Sequence, residues 1–98
     1  MITVECEDSV LTVGLSGEID HHTAKPMRER IDECVQRLRP SHLVLDFGGV
    51  GFMDSSGIGL VMGRYRLMKE LGGSVEVANA QPQISRMMKL AGLARLGI

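Results

Sequence analysis

The sequence has few aromatic side chains: no tryptophan, one tyrosine and two phenylalanines, which together make 3% of its 98 residues. Its apolar fraction is nevertheless 44% and includes seven methionines. The core is therefore expected to be aliphatic with methionines filling its gaps, although Met53 and Met62 are also candidates for surface contact. A chain of this length supports one core, so residues 1–98 are interpreted as a single domain.

The sequence also lacks an excess of charge of either sign. Eleven basic and twelve acidic residues give a formal net charge of −1. Because the two signs are interspersed, we expect no basic surface strong enough to hold nucleic acid. The sequence shows neither a basic N-terminal leader nor an apolar run of membrane-spanning length. We therefore expect a soluble, cytoplasmic protein without a membrane partner.

Cysteine is scarce too. Cys6 and Cys34 stand alone, whereas zinc and redox sites use closely spaced pairs such as C-x-x-C. Both are interpreted as small buried apolar residues in a reducing compartment. The adjacent His21 and His22 are interpreted as polar loop residues, because neighbouring side chains on an extended chain point to opposite faces. No metal or other cofactor is expected.

The apolar pattern switches between the strand period and the helix period along the whole chain. A hairpin comes first, and helices and strands then alternate. This order predicts an α/β fold, with a mixed, mostly parallel sheet of about four to five strands and helices packed on it. The predicted strands cover residues 2–6, 10–15, 42–46, 74–78 and 95–98, the predicted helices cover 23–39, 54–71 and 82–91, and residues 16–20 are expected to leave the sheet.

Details of the helix patterns give further expectations. Thr23 is predicted to be the N-cap of the first helix, which puts Pro26 in the first turn, where no N–H is needed.

In the second helix, Leu60 falls outside the apolar stripe and is expected to be exposed. Gly59 and Gly63 share one face and each costs about 1 kcal/mol relative to alanine. We therefore expect a close approach of the sheet or of a partner there.

The centre of the chain combines a glycine-rich segment with an aspartate and two serines. Residues 46–51 contain three glycines and are predicted to form a tight turn from strand to helix. Asp54 follows as an N-cap residue, because its carboxylate can accept from free N–H groups of the first helical turn. The Ser55 hydroxyl is then expected at the rim of the domain, at a helix N-terminus that favours an anion. On spacing alone, a simple Asp-Ser helix cap is the alternative.

Three motifs carry a resemblance to a known family. They are FMDSSGIG at residues 52–59, GEIDHHTA at residues 17–24 and GRYR at residues 63–66. In this order and spacing they resemble the anti-sigma factor antagonists of bacterial endospore formation, which belong to the STAS superfamily of sulphate transporter and anti-sigma antagonist domains. The resemblance extends from the first strand to Leu93 and implies the same α/β fold. Family members usually continue into another C-terminal helix, which we expect to be absent here.

The resemblance implies a binding module that is switched by phosphorylation. In the family the first serine after the aspartate is phosphorylated, and that position here is Ser55. The unphosphorylated protein binds an anti-sigma factor that is a serine kinase with bound ATP or ADP, and so releases the sigma factor. Phosphorylation breaks this complex, and a metal-dependent serine phosphatase restores it. The residues implied at the partner-facing rim are Asp20, His21, Asp54, Ser55, Ser56 and Gly57.

Other functions fit the motifs less well. The hydrolase motif G-x-S-x-G requires a glycine where Met53 stands, and the sequence shows no assembled base for Ser55, so no catalytic residue is assigned. The nucleotide motif G-x-x-x-x-G-K-[ST] is absent, since Gly57 is followed by Ile58. Within the family, residues 21–24 and Ser56 favour the sporulation branch. The alternatives are a general-stress antagonist and a STAS scaffold module.

Overall fold

A four-stranded mixed sheet organises the structure, a computed structural model that describes residues 1–98. The strands lie in the order β1-β2-β3-β4. The first two form an antiparallel hairpin, and both other pairs are parallel. The predicted fold class, a mixed and mostly parallel sheet with packed helices, is confirmed. The elements are β1 (Ile2–Glu7), β2 (Val10–Ile19), α1 (His21–Leu38), β3 (His42–Met53), α2 (Ser55–Glu70), β4 (Ser74–Ala78), α3 (Pro82–Leu90) and a 3₁₀ helix (Leu93–Leu96).

The core lies between one face of the sheet and the helices. Side chains alternate across a strand, and up to Leu15 in β2 and Phe47 in β3 every second residue is buried while those between are half-buried. Helices α1 and α2 contact each other as well as the strands beneath them, and each buries one stripe of side chains. The most deeply buried strand residues of the core are Leu11, Val13, Leu15, Ile19, Leu43, Leu45, Phe47 and Val50.

The core is aliphatic, as predicted. Its cluster of 21 buried residues contains a single aromatic side chain, Phe47. Met53 is only 4% exposed, so it fills a gap in the core and is not the alternative surface contact, whereas Met62 is half-buried against the core. Cys34 is buried as expected. Cys6 is exposed, contrary to expectation, because β1 lies at the edge of the sheet.

The glycine-rich segment does not form the predicted turn. Residues 46–51 lie inside β3, and residues 16–19, predicted to leave the sheet, remain paired with it. The pairing of β2 with β3 shifts register along this stretch. A Cβ on Gly49 would lie 2.7 Å from the Cβ of Ser16 and 2.9 Å from the carbonyl oxygen of Leu15. The missing side chain therefore permits close approach of the two strands rather than a turn.

Helix α1 begins earlier than predicted. Its N-cap is Asp20, and Thr23 is the third helical residue, where it completes a capping box with Asp20. The prediction of Thr23 as the N-cap is therefore wrong. Pro26 falls in the second turn, and because it has no N–H, the carbonyl group of His22 lacks its usual helical partner. His22 is exposed, so this carbonyl group can be hydrated.

Helix α2 buries a regular stripe that the sequence pattern concealed. Leu60 is only 3% exposed, so its expected exposure is wrong. The stripe follows the helical spacing i, i+3, i+4, i+7, but two of its members are a glycine and an arginine, which do not register as apolar. The buried residues of α2 are Gly57, Leu60, Val61, Arg64 and Met68.

The buried arginine of α2 forms an ion pair with α1. The Nε atom of Arg64 lies 2.9 Å from Oδ1 of Asp32, and the two side chains are 7% and 37% exposed. Neither atom has a well-aligned hydrogen bond, so the contact is chiefly electrostatic. Burial lowers the pKa of Arg64, whereas the charge of Asp32 opposes this shift and the charge of Arg28 adds to it. The pair joins the two helices that cover the sheet.

The end of the chain also differs from prediction. Residues 95–98 do not form a strand. Instead Leu93–Leu96 form the 3₁₀ helix, with Gly92 and Gly97 at its two ends in the left-handed region at φ of 86° and 78°. Glycine adopts this conformation without steric cost. Leu93 is 2% exposed, so this short helix closes the end of the core.

Gly59 and Gly63 give the first testable prediction. A Cβ at either position would meet nothing within 4 Å, so the expected close approach of the sheet is wrong. We predict that Gly59→Ala and Gly63→Ala each raise the free energy of unfolding by about 0.5–1 kcal/mol, because alanine is the better helix former. Urea denaturation measures this change.

Gly57→Ala is the matched control for these two variants. A Cβ at this position would overlap the side chain of Met53, so we expect a loss of stability from the same substitution in the same helix. A loss of stability at Gly59 and Gly63 as well would contradict the open environment that the structure gives them.

Candidate functional site

Two helix N-caps lie side by side at one rim of the sheet. Strands β2 and β3 are parallel, and their last paired residues are Ile19 and Met53. Asp20 and Asp54 follow immediately, and each caps the helix that begins there. The backbone N–H of Asp54 donates to the carbonyl oxygen of Ile19 at 3.0 Å. The pairing of the strands therefore brings the two caps together.

Asp54 is the N-cap of α2, as predicted. Its Oδ1 atom accepts a hydrogen bond from the N–H of Ser56 at 2.8 Å, and its carbonyl oxygen accepts from the N–H of Gly57 at 3.0 Å. These contacts satisfy backbone donors that otherwise lack partners at a helix start. The carboxylate also adds negative charge at the positive end of the helix dipole. Asp54 thus fixes the conformation in which Ser55 is presented.

Ser55 is the first residue of α2 and is exposed, at the position predicted for it. Asp54 provides the side-chain cap of α2, so that role does not depend on the Ser55 hydroxyl. Ser56 is half-buried, and Gly57 is buried where a side chain would overlap Met53. Of the two serines, Ser55 is therefore the more accessible to another protein.

Asp20 is held by the start of α1. Its Oδ1 atom accepts from the N–H groups of His22 at 2.9 Å and Thr23 at 3.0 Å, while Oγ1 of Thr23 accepts from the N–H of Asp20 at 2.9 Å. These hydrogen bonds, first that from Thr23 and then that from His22, lower the pKa of Asp20 below 3.8. Asp20 is therefore a fixed negative charge at the rim at neutral pH.

The lowered pKa of Asp20 predicts a pH dependence. Because the folded pKa lies below the unfolded value, the contribution of this carboxylate to stability is present above the unfolded pKa. It is lost as pH falls through the folded pKa. We predict that the Asp20 carboxyl carbon titrates in NMR with a midpoint below 3.8. In urea denaturation, Asp20→Asn should weaken the acid dependence of stability, and a midpoint at or above 3.8 would contradict the cap geometry.

The structure brings most of the predicted rim residues together. His21 lines the same groove as Ser56, between the starts of α1 and α2. Two basic residues of that groove, Lys25 and Arg28, were missed. Their spacing of three in the sequence, on the exposed side of a helix that begins at the rim, could have indicated that both side chains lie near the rim on one face of α1. Phe52 was also missed as an exposed residue, although it is 53% exposed and lies two residues before Asp54.

Other kinds of site are not apparent. No group of three or more histidine, cysteine, aspartate or glutamate residues is arranged to hold a metal ion. None of the helices has both the length and the apolar character needed to cross a membrane. His21 and His22 begin α1 and do not lie in a loop, so that prediction is wrong, and their rings lie 4.0 Å apart, centroid to centroid. The rim itself presents the exposed Ser55 next to the Asp54 cap, with the Asp20 cap at the end of the neighbouring strand.

The family model of the STAS domain matches residues 1–97, and the chain therefore belongs to that family. The chain is similar to the anti-sigma F factor antagonist of Paenibacillus polymyxa, with 41% identity over 95 residues that cover 97% of this chain and 81% of the relative. The resemblance predicted from the three motifs is thus confirmed.

Solved structures give the same result. The unphosphorylated form of the anti-sigma factor antagonist SpoIIAA is 29% identical, with a TM-score of 0.84 over 95% of this chain and 82% of that chain. The phosphorylated form of SpoIIAA, a cell fate determinant of Bacillus, is 28% identical, with a TM-score of 0.78 over 97% of this chain and 86% of that chain. Both forms of SpoIIAA therefore share the fold described here.

Proposed function

We propose that this protein is an anti-sigma factor antagonist of the sporulation type. Its unphosphorylated form binds an anti-sigma factor that is a serine kinase, and thereby releases the sigma factor. The observation that carries the proposal is the exposed hydroxyl of Ser55 at the first turn of α2, directly after the Asp54 cap and at the same rim as the Asp20 cap. The 41% identity to an anti-sigma F factor antagonist supports the sporulation branch.

Phosphorylation of Ser55 turns the antagonist off. The kinase transfers a phosphoryl group from ATP to the Ser55 oxygen, which adds about −1.5 to −2 charges at neutral pH. This charge joins those of Asp20 and Asp54 on a surface that must lose water when the partner binds, and burying it there is costly. The protein is the substrate and binding module in this reaction and has no catalytic residue of its own.

The fold tolerates the phosphate. Ser55 is exposed, and the N–H groups and dipole of α2 favour an anion at this position. The similarity of the chain to both the unphosphorylated and the phosphorylated forms of SpoIIAA supports a switch without refolding. A metal-dependent serine phosphatase then removes the phosphate and restores binding. The cycle takes place in the cytoplasm, without contact of this protein with nucleic acid or membrane.

Mapping the phosphate tests this proposal. The chain is incubated with the anti-sigma F factor of Paenibacillus polymyxa, ATP and magnesium, and the modified peptide is located by mass spectrometry. We expect about one phosphate per chain, on Ser55. Ser56→Ala serves as the matched control and should be phosphorylated like the wild type. Absence of phosphate, or its location on Ser56, would contradict the proposal.

A further inference from the structure

A groove of about 440 Å³ lies between the first halves of α1 and α2, next to the rim that carries Ser55. Helix α1 contributes His21, Lys25 and Arg28 to its wall, and α2 contributes Ser56 and Gly59. Ser56 follows Ser55 directly, so the groove continues the surface on which the proposed switch acts. It is a concave extension of that surface along the two helices.

The groove is positively charged. Lys25 and Arg28 are exposed, neither takes part in the ion pairs of the chain, and no carboxylate lines the wall. Their spacing of three places them on one face of α1. The charge of Arg28 also contributes to lowering the pKa of Arg64. Arg64 is therefore a third cation that lies close enough to Arg28 to interact with it electrostatically. Neither of the two exposed cations therefore forms a close ion pair within the domain.

The α2 side of the groove is open. A Cβ on Gly59 would meet nothing within 4 Å, so neither the sheet nor α1 covers the helix backbone at this position. The α2 wall of the groove therefore has room for a side chain of another protein. No contact within the domain requires glycine at position 59. A partner segment that packs against the helix backbone there would require it.

We infer that this groove receives an acidic segment of the anti-sigma factor kinase, an inference that rests on the proposed function. Aspartate or glutamate side chains of the partner would pair with Lys25 and Arg28, which is the complementary arrangement for two unpaired cations. The inference also explains how the switch acts beyond the rim. A phosphate on Ser55 carries about −1.5 to −2 charges, which offset those of Lys25 and Arg28 and repel the acidic segment.

Charge reversal in the groove tests the inference. The double variant Lys25→Glu/Arg28→Glu is compared with Arg86→Glu/Lys89→Glu, which makes the same change of charge at the same spacing on exposed residues of α3. Binding of each to the anti-sigma F factor of Paenibacillus polymyxa with bound ADP is measured by calorimetry. We expect the groove variant to bind at least about tenfold more weakly, and the α3 variant to bind within about twofold of the wild type.

A neutral variant separates charge from structure. With Lys25→Gln/Arg28→Gln, the affinity should depend less steeply on salt concentration than that of the wild type, because two screened contacts are missing. A merely structural role of the two residues would leave this salt dependence unchanged. Circular dichroism and thermal unfolding establish that each variant is folded.

The outcomes distinguish the groove from the switch. Phosphorylation of the wild type on Ser55, together with equal affinities of the wild type and Lys25→Glu/Arg28→Glu, would overturn the groove inference and leave the proposed function intact. Equal weakening by the α3 variant would overturn it too, because the effect would then be one of net charge. A wild-type protein that neither binds the kinase nor accepts phosphate would overturn the proposed function and the inference with it.

Discussion

Replacing Ser55 with alanine is expected to abolish phosphorylation and to leave an antagonist that cannot be switched off. The exposed hydroxyl is removed, whereas the cap that Asp54 provides to Ser56 remains. Stability should therefore change by no more than about 1 kcal/mol. Because we propose that the unphosphorylated form is the binding form, Ser55→Ala should bind the anti-sigma factor kinase as the unphosphorylated wild type does, and continue to do so after incubation with ATP.

This result is checked by comparing phosphate incorporation and kinase binding before and after incubation with ATP. Wild-type protein should lose binding as it is phosphorylated, and Ser56→Ala should do the same because Ser55 is intact. Only Ser55→Ala should retain binding. Stoichiometric phosphate on Ser55→Ala would show that another residue is the acceptor.

Removing the carboxylate of Asp32 is expected to give the largest loss of stability among substitutions of charged residues. Arg64 is nearly buried, and Asp32→Ala would leave its charge without a partner, which is strongly destabilising in a buried pair. Asp32 itself is 37% exposed, so water weakens the interaction. We therefore expect a loss of about 2 kcal/mol, below the range for fully buried pairs.

Two further variants test the cause of this loss. Arg64→Met removes the buried charge and fills much of the same space, and it leaves Asp32 partly hydrated, so it should cost less than Asp32→Ala. Glu33→Ala, the neighbouring substitution, breaks an exposed pair with Arg37 at 3.8 Å and should cost no more than about 0.5 kcal/mol. Urea denaturation compares all three. Equal costs of Asp32→Ala and Glu33→Ala would contradict the buried ion pair.

The sequence predicted those parts of the fold that depend on local periodicity. The hairpin, three helices and two further strands appear in the predicted order, because alternation and helical stripes follow directly from which side chains face the core. The N-cap at Asp54 was also predicted, since its chemistry is local. The first helix was harder, because both Asp20 and Thr23 are good cap residues and the two in fact act together.

The missed features depend on contacts between elements. Gly49 lies in a strand at a point where β2 approaches it closely. In the sequence alone, a glycine at such a position cannot be distinguished from a glycine in a turn. Arg64 is buried because Asp32 of another helix pairs with it, which no periodicity reveals. The groove at Lys25 and Arg28 exists only once α1 and α2 lie side by side. The place of Ser55 after the Asp54 cap is a local feature that the sequence predicted, whereas the groove depends on the packing of two helices.

The central claim is that a phosphate on Ser55 alone decides whether the antagonist binds its partner. The most direct test is a pair of calorimetric titrations of the ADP-bound anti-sigma F factor of Paenibacillus polymyxa, one with unphosphorylated protein and one with protein phosphorylated on Ser55. We predict that the phosphorylated form binds at least about 30-fold more weakly, because like charges that face each other across an interface cost several kcal/mol. Equal affinity of the two forms would contradict the account.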